Sequence, residues 1–293
     1  MNCPVCDSGA VYTAFDREQY VYKQCSSCGV LFVANALCAQ EIYDHYSESY
    51  YEAAASGFEE RSGYPSYMAA QDTLEKSFSQ KLTLLRERMP SGRLLDAGTA
   101  YGTFLRLASP HYECIGLDVS AYAAAVALRE FGMHVMVGSV AQAPFAAETF
   151  DAIVMWDIIE HLLNPVDALA EVYRMLKPGG ITLVSTDDVS NWLPKLLGSR
   201  WWSLAPPLHL CHFSKRGMEI AFERAGVFEV LGFVKDKRSY SIPEIIEHFG
   251  VTYRSNLLAR LALGLKRTPL GVLVLDIARP EQYVAIARKR AAV

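Results

Sequence analysis

From residue 93 onward, short apolar runs alternate with stretches whose apolar residues recur every three or four positions. The runs Arg93–Asp96, Glu113–Asp118, His134–Gly138, Phe150–Trp156 and Ile181–Thr186 are dense in Leu, Ile and Val, as strands buried on both faces must be. Between them, Gly102–Ala108, the alanine-rich Ser120–Phe131 and Pro165–Leu176 read as helices. The third carries Val166, Leu169, Ala170 and Tyr173 on one face, has Pro165 in its first turn, and ends at Lys177-Pro178-Gly179-Gly180. Repeated strand–helix units predict a mostly parallel, doubly wound sheet with right-handed crossovers. A further helix, Lys215–Ala225, leads to the strand Val227–Val234, and Gln282–Arg288 reads as a closing strand. Between those two strands, Ser239–Ile277 has a helical pattern. Upstream, Ser66–Met89 is helical, with Leu74, Phe78, Leu82 and Leu85 on one face.

The first forty residues follow neither period. They carry Cys3-Pro4-Val5-Cys6 and Cys25-Ser26-Ser27-Cys28, separated by eighteen residues. Two such knuckles, joined by a hairpin-length spacer, can aim four thiolates at one tetrahedral zinc ion and leave no open coordination position. Zinc as a structural cofactor is therefore expected at Cys3, Cys6, Cys25 and Cys28. The metal would supply much of the folding energy of so small a unit. Tyr43–Tyr51 then places four tyrosines in nine residues, which suits either a lid over a ligand or a strap across the surface. The expected organisation is a zinc-ribbon-like module over 1–40, an aromatic segment and helix over 41–90, a core over 91–238, and a helical insertion with closing strand over 239–293.

Composition narrows the function. The chain has 293 residues, 51% hydrophobic, and a formal net charge of −4, which gives no bulk attraction for nucleic acid or acidic lipid. The N-terminus lacks the charged and apolar regions of a secretory signal, and no apolar run is long enough to span a bilayer. A cytoplasmic location without membrane contact is expected.

The chemistry centres on Asp96-Ala97-Gly98-Thr99-Ala100-Tyr101-Gly102, where a strand hands over to a helix through small residues at every second position. Asp118 ends the next strand, twenty-two residues on, where a carboxylate can accept both hydroxyls of a ribose. Phe150-Asp151-Ala152-Ile153-Val154, Trp156-Asp157-Ile158-Ile159-Glu160-His161-Leu162 and Leu176-Lys177-Pro178-Gly179-Gly180 follow. With these segments the chain resembles a class I S-adenosylmethionine-dependent methyltransferase over roughly residues 40–290. The resemblance implies a seven-stranded Rossmann-like sheet and S-adenosyl-L-methionine as cofactor. It implies that Asp96, Gly98, Ala100, Tyr101 and Gly102 form the cofactor loop, with Gly98 and Ala100 under the methionine part. Asp118 would hold the ribose, Val119 would pack on the adenine, and Ser139 would meet the adenine amino group. Two positions depart from the family pattern: Ala100 stands where relatives usually carry glycine, and Ser139 where many carry aspartate.

Methyl transfer to a hydroxyl needs alignment, exclusion of water and removal of a proton. His161 lies just past the fourth strand with Asp157 four residues before it, a spacing at which a helix would let the carboxylate fix the imidazole tautomer. His209, in the long loop after strand five, is a second base or acceptor-orienting candidate. His209-Leu210-Cys211-His212 also invites a metal reading but lacks further ligands nearby in the sequence. Ser214 is expected to cap the next helix, and Glu160 to have a structural role. The leading reading is a methyltransferase acting on a small-molecule acceptor, a sugar or secondary metabolite, with O-methylation favoured. The rivals are an RNA methyltransferase using the zinc module, a non-catalytic partner-binding protein, and a nicotinamide oxidoreductase disfavoured by the glycine spacing.

Overall fold

The computed structural model describes residues 1–36, 38–46, 48–51, 68, 70–252 and 255–291. The N-terminal strands β1 (Val11–Arg17), β2 (Tyr20–Cys25) and β3 (Leu31–Val33) are followed by the short helices α1 (Ala39–Asp44) and α2 (Glu48–Tyr51). The expected helix from Ser66 begins partly outside the described residues; α3 runs Gln71–Arg86. The alternating part comprises β4 (Gly92–Ala97), α4 (Thr103–Ala108), β5 (Tyr112–Asp118), α5 (Ala121–Phe131), β6 (Val135–Val137), β7 (Phe150–Trp156), α6 (Pro165–Met175) and β8 (Leu176–Asp187). After α7 (Trp192–Leu197) come β9 (Cys211–His212), α8 (Lys215–Ala225), β10 (Phe228–Ser241), α9 (Ile242–Thr252), α10 (Asn256–Leu265) and β11 (Val274–Lys289).

Seven strands form one sheet in the order β10-β11-β8-β7-β4-β5-β6, in which only β11 runs antiparallel to its neighbours. The strand period decides which layer each residue joins. Leu95, Ile153 and Met155 face one side and pack on Leu169 of α6 and Phe222 of α8. Leu94, Ala152 and Val154 face the other and pack on Leu85 of α3 and Phe104 of α4. Both layers are buried, and each fully buried Leu or Phe contributes about 2 kcal/mol of transfer free energy. Strand order reverses at β4, flanked by β5 and β7, so a crevice opens beyond the carboxyl ends of these strands.

Two extents differ from expectation. β10 continues past Val234 to Ser241, and β11 begins at Val274 rather than Gln282, so the helical insertion is only α9, α10 and the turn after them. The extension is rich in charges, yet α3 covers it: Lys81 reaches Asp236 at 3.3 Å and Ser77 Oγ accepts from the Ser239 amide at 2.8 Å. No described helix is long and apolar enough to cross a membrane.

The N-terminal strands make a second sheet, β1-β2-β3-β9, whose last strand comes from the long loop after β8. Leu31 pairs with His212 and Phe32 with Cys211. Ser214 caps α8 as expected, accepting from the Gly217 amide at 2.9 Å, and donates its own hydroxyl proton to the Cys28 carbonyl at 2.5 Å.

Candidate active site

The loop after β4 owes its shape to three left-handed residues: Gly98 (φ 77°), Ala100 (φ 47°) and Gly102 (φ 77°). At Gly98 there is a second reason for glycine, because a Cβ there would lie 2.0 Å from Ile158 Cδ1. Ala100 adopts a conformation that costs an L-residue about 1–2 kcal/mol. Its amide is the compensation, donating to Asp118 Oδ2 at 2.8 Å. The other oxygen of Asp118 accepts from the Ser120 amide at 2.9 Å. Each carboxylate oxygen retains a lone pair for a further donor.

Asp96 lies at the bottom of the crevice, 1% exposed. Thr99 Oγ1 donates to its Oδ2 at 2.5 Å, while Oδ1 has no hydrogen-bond partner among the described residues. Burial, with the Asp118 charge adding to it, lifts its pKa to about 7. Burial likewise raises Asp118 against the two amides that lower it. Asp96, Gly98, Ala100, Tyr101, Asp118, Val119 and Ser139 all line one cavity. Gly102 instead starts α4, with Met133 packed where a side chain would begin. Ser139 starts a short turn, its hydroxyl accepting from the Ala141 amide at 3.3 Å.

The tyrosine segment crosses this cavity. Ser120 Oγ donates to the Tyr46 carbonyl at 2.7 Å, the Tyr46 hydroxyl meets His161 Nδ1 at 2.9 Å, and Tyr51 stacks on Tyr101 with centroids 5.1 Å apart. The stretch is thus both pinned and a wall of the cavity.

At the other end the expected pairing of Asp157 with His161 is not formed. Asp157 takes a left-handed turn (φ 57°), and the residues after it make one tight 3-10 turn, Ile159–His161, so the helical-face argument fails. Its carboxylate pairs with Arg238, accepts from Ser185 Oγ at 3.1 Å and lies 3.9 Å from Lys81. Burial alone would raise it, but Arg238 and Lys81 outweigh that and hold it at about 2. His161 meets Tyr46 instead, and edge-on His209 at a centroid distance of 4.7 Å. Burial and the neighbouring His209 push His161 down to about 3, so it is neutral at physiological pH. His209 Nδ1 lies 2.7 Å from the Ser203 carbonyl and so carries a proton. Behind it, Asp187 Oδ2 is 3.9 Å from His209 Nδ1 and 3.8 Å from His212 Nδ1. Glu160 is 1% exposed, accepts from Thr186 Oγ1 at 3.0 Å, and is raised by burial and by the charges of Asp157 and Asp187. Tyr46, one of the tyrosines expected as a lid or strap, also lines the cavity, as do Glu160 and Arg238, to which spacing alone did not point as site residues.

The four cysteines expected together are together. Cys3 and Cys28 sulfurs lie 3.5 Å apart, as do those of Cys6 and Cys25, and all four fall within 4.8 Å of one another. Ligands at ~2.3 Å around a tetrahedral ion would stand ~3.8 Å apart, whereas a disulfide would need ~2 Å.

The family profile described as "Methyltransferase domain" matches residues 70–231, more than half of the chain. The chain belongs to this methyltransferase-domain family. The matched segment opens in α3 and closes in β10, leaving the cysteine cluster and tyrosine wall outside it. A malonyl-[acyl-carrier protein] O-methyltransferase of Serratia marcescens is 31% identical over 164 residues, 55% of this chain and 62% of that protein. An uncharacterized protein of Methanocaldococcus jannaschii is 30% identical over 125 residues, 43% and 59% of the two chains. The methyltransferase-domain chain thus spans about three fifths of the length of these curated relatives. Among solved structures, the [4+2]-cyclase SpnF superposes with a TM-score of 0.56 at 22% identity, covering 88% of this chain and 98% of that one. A SAM-dependent methyltransferase of Thermotoga maritima gives 0.51 at 21% identity, covering 76% and 93%. Likenesses at such identity establish the fold; the cyclase among them means that the site must argue the chemistry.

Proposed function

We propose that this methyltransferase-domain protein transfers a methyl group from S-adenosyl-L-methionine to a small-molecule acceptor, preferentially to oxygen, and carries a structural zinc ion on its four clustered cysteines. The observation that carries the reading is the buried, unpartnered Asp96 Oδ1 facing the same cavity as the doubly braced Asp118. One acid suits the cationic methionine end of the cofactor and the other its ribose diol. When bound, the cofactor supplies a methyl group already activated by sulfonium.

The chain's own residues then do three things. Ala100 and Ser120 amides hold the Asp118 carboxylate in one orientation, so the ribose meets a fixed acceptor pair. The Tyr46–His161 contact joins the tyrosine wall to the end of β7 and excludes water from the space between. His161 and His209 stand at the acceptor end, where they orient the incoming group. With its pKa near 3, His161 is a poor proton acceptor at neutral pH, which favours orientation over the general-base role expected for it. Asp157, bound to Arg238, supports the turn.

Incubating the full chain with methyl-labelled cofactor and a fractionated cell extract tests this. Label is expected in a small-molecule fraction, sensitive to Asp118→Ala. Label confined to RNA or protein, or no transfer to any fraction, refutes it.

A further inference from the structure

His209 has no further ligand set nearby in its own loop, but the fold brings two donors to it from the end of β7. Glu160 and His161 at the end of β7 and His209 from the loop bring one donor atom each to within 4.8 Å of one another. We propose that Glu160, His161 and His209 form a binding site for a divalent transition-metal cation at the acceptor end of the cavity.

The donor set, one carboxylate and two imidazoles, suits ions from Mn2+ to Zn2+ and leaves coordination positions for an acceptor. Each donor is already braced from behind. Ser203 takes the Nδ1 proton of His209, leaving its lone pair on Nε2. Tyr46 engages His161 Nδ1 and Thr186 engages Glu160 Oε2, which leaves Glu160 its second oxygen; the His161 ring also meets the Leu208 carbonyl, a contact that an ion on that ring would replace. Such outer contacts orient metal ligands and fix imidazole tautomers. Charge points the same way. Glu160 is buried beside Asp157 and Asp187, and no Lys or Arg pairs with it among the described residues, since Lys81 and Arg238 serve Asp157 and Asp236. A carboxyl so placed has no cationic partner that a metal ion would have to displace.

His209 is also shared with a deeper group, Asp187 and His212. There it presents the Nδ1 already committed to Ser203, and His212 is wholly buried between Tyr22 and Trp201, out of reach of an acceptor. Glu160, His161 and His209 all line the cavity. Resting on the reading of this cavity as the acceptor site, the cation would hold an acceptor oxygen and favour its ionised form, the proton leaving to solvent. It would thereby take the place of a general base.

Mn2+ is the probe, because a four-thiolate site discriminates against so hard an ion. Titrating the full-length protein with Mn2+, read by electron paramagnetic resonance without cofactor or acceptor, should give one bound ion per chain. Affinity should fall at least tenfold in Glu160→Gln and in His161→Ala, with cofactor binding retained as the check on folding, and change less than threefold in Asp187→Asn. Glu160→Gln is isosteric and keeps the test valid should the histidine variant misfold. No Mn2+ binding at millimolar concentration overturns the proposal. So does loss in Asp187→Asn with retention in Glu160→Gln, which would put the ion on the deeper group. Because this readout needs no turnover, failure of methyl transfer and failure of metal binding are separate results.

Discussion

Replacing Asp96 with Asn tests the cofactor pocket through its electrostatics. The carboxyl sits at 1% exposure with a pKa raised from 3.8 to about 7, chiefly by burial. Between those values the unfolded chain has released its proton while the folded one retains it, so the unfolded state binds fewer protons and stability falls as pH rises. The loss begins near pH 4 and is complete above about pH 7. Between pH 5 and pH 7 it amounts to about two units, or ~3 kcal/mol at most. Asn keeps an acceptor for Thr99 Oγ1 and carries no charge. Relative to wild type, Asp96→Asn should therefore gain stability on moving from pH 5 to pH 8, by roughly 5 °C in melting temperature for a chain of this size. The same substitution should abolish a wild-type rise in S-adenosylmethionine affinity across that range, since the ionised acid is the form that attracts a cation. Melting curves at the two pH values, with and without cofactor, measure both effects. A difference in melting temperature between the two proteins that is unchanged from pH 5 to pH 8, or that favours wild type at pH 8, refutes the buried-charge account.

Asp118→Ala should weaken cofactor binding at least tenfold by calorimetry; an unchanged affinity would remove the ribose role. Gly98→Ala adds a left-handed penalty to a 2.0 Å overlap with Ile158 and should cost about 3 kcal/mol or more in denaturant unfolding. Adding Ile158→Ala should restore part of that, and no restoration would mean that the overlap is not the cause. Metal analysis of protein purified without chelator and without added Mn2+ should find zinc on the cysteine cluster, lost in Cys25→Ser together with several degrees of melting temperature. Zinc content unchanged by Cys25→Ser would disprove that placement.

Much of this fold was legible because its parallel strands are buried on both faces and must be written as apolar runs, as Leu94-Leu95 and Ile153-Val154-Met155 are. The loop after β4 was legible because left-handed turns and a close side-chain approach restrict residue type at Gly98 and Gly102. Ala100 was legible only as a departure; its tolerance comes from a hydrogen bond that its amide donates to Asp118, which no spacing rule contains. The ends of β10 and β11 were hidden because Asp236 and Arg238 interrupt the apolar run and the stretch from Ser239 carries a helical pattern. They are strand because Lys81 and Ser77 of a distant helix satisfy them. The Asp157–His161 pair failed for a local reason: four residues' spacing implies a shared face only if the helix exists, and here the chain turns left-handed first. The surroundings of Glu160 were not legible because Thr186, which donates to it, lies far along the chain.

The cysteine module and the loop after β8 are built as one unit. β9 is only two residues long and would not hold as an isolated strand; it exists because β3 offers it an edge. Three further ties fix the same junction: Ser214 to the Cys28 carbonyl, Arg224 to the Val5 carbonyl at 2.6 Å, and Gly217 packed so closely on Val30 that a Cβ would stand 2.4 Å from it. On the other side Arg17 of β1 holds the carbonyls of Ser199 and Trp201 at 3.1 and 2.8 Å. The segment between these anchors carries Ser203 and His209, and the Leu210 amide donates to the Glu160 carbonyl at 2.8 Å. Order therefore passes from the four sulfurs through β3 and β9 to the His161 and His209 end of the cavity, while Asp96 and Asp118 stand at the ends of β4 and β5. A metal bound by the cysteines would stiffen the His161 and His209 end of the cavity and leave the Asp96 and Asp118 end to the sheet.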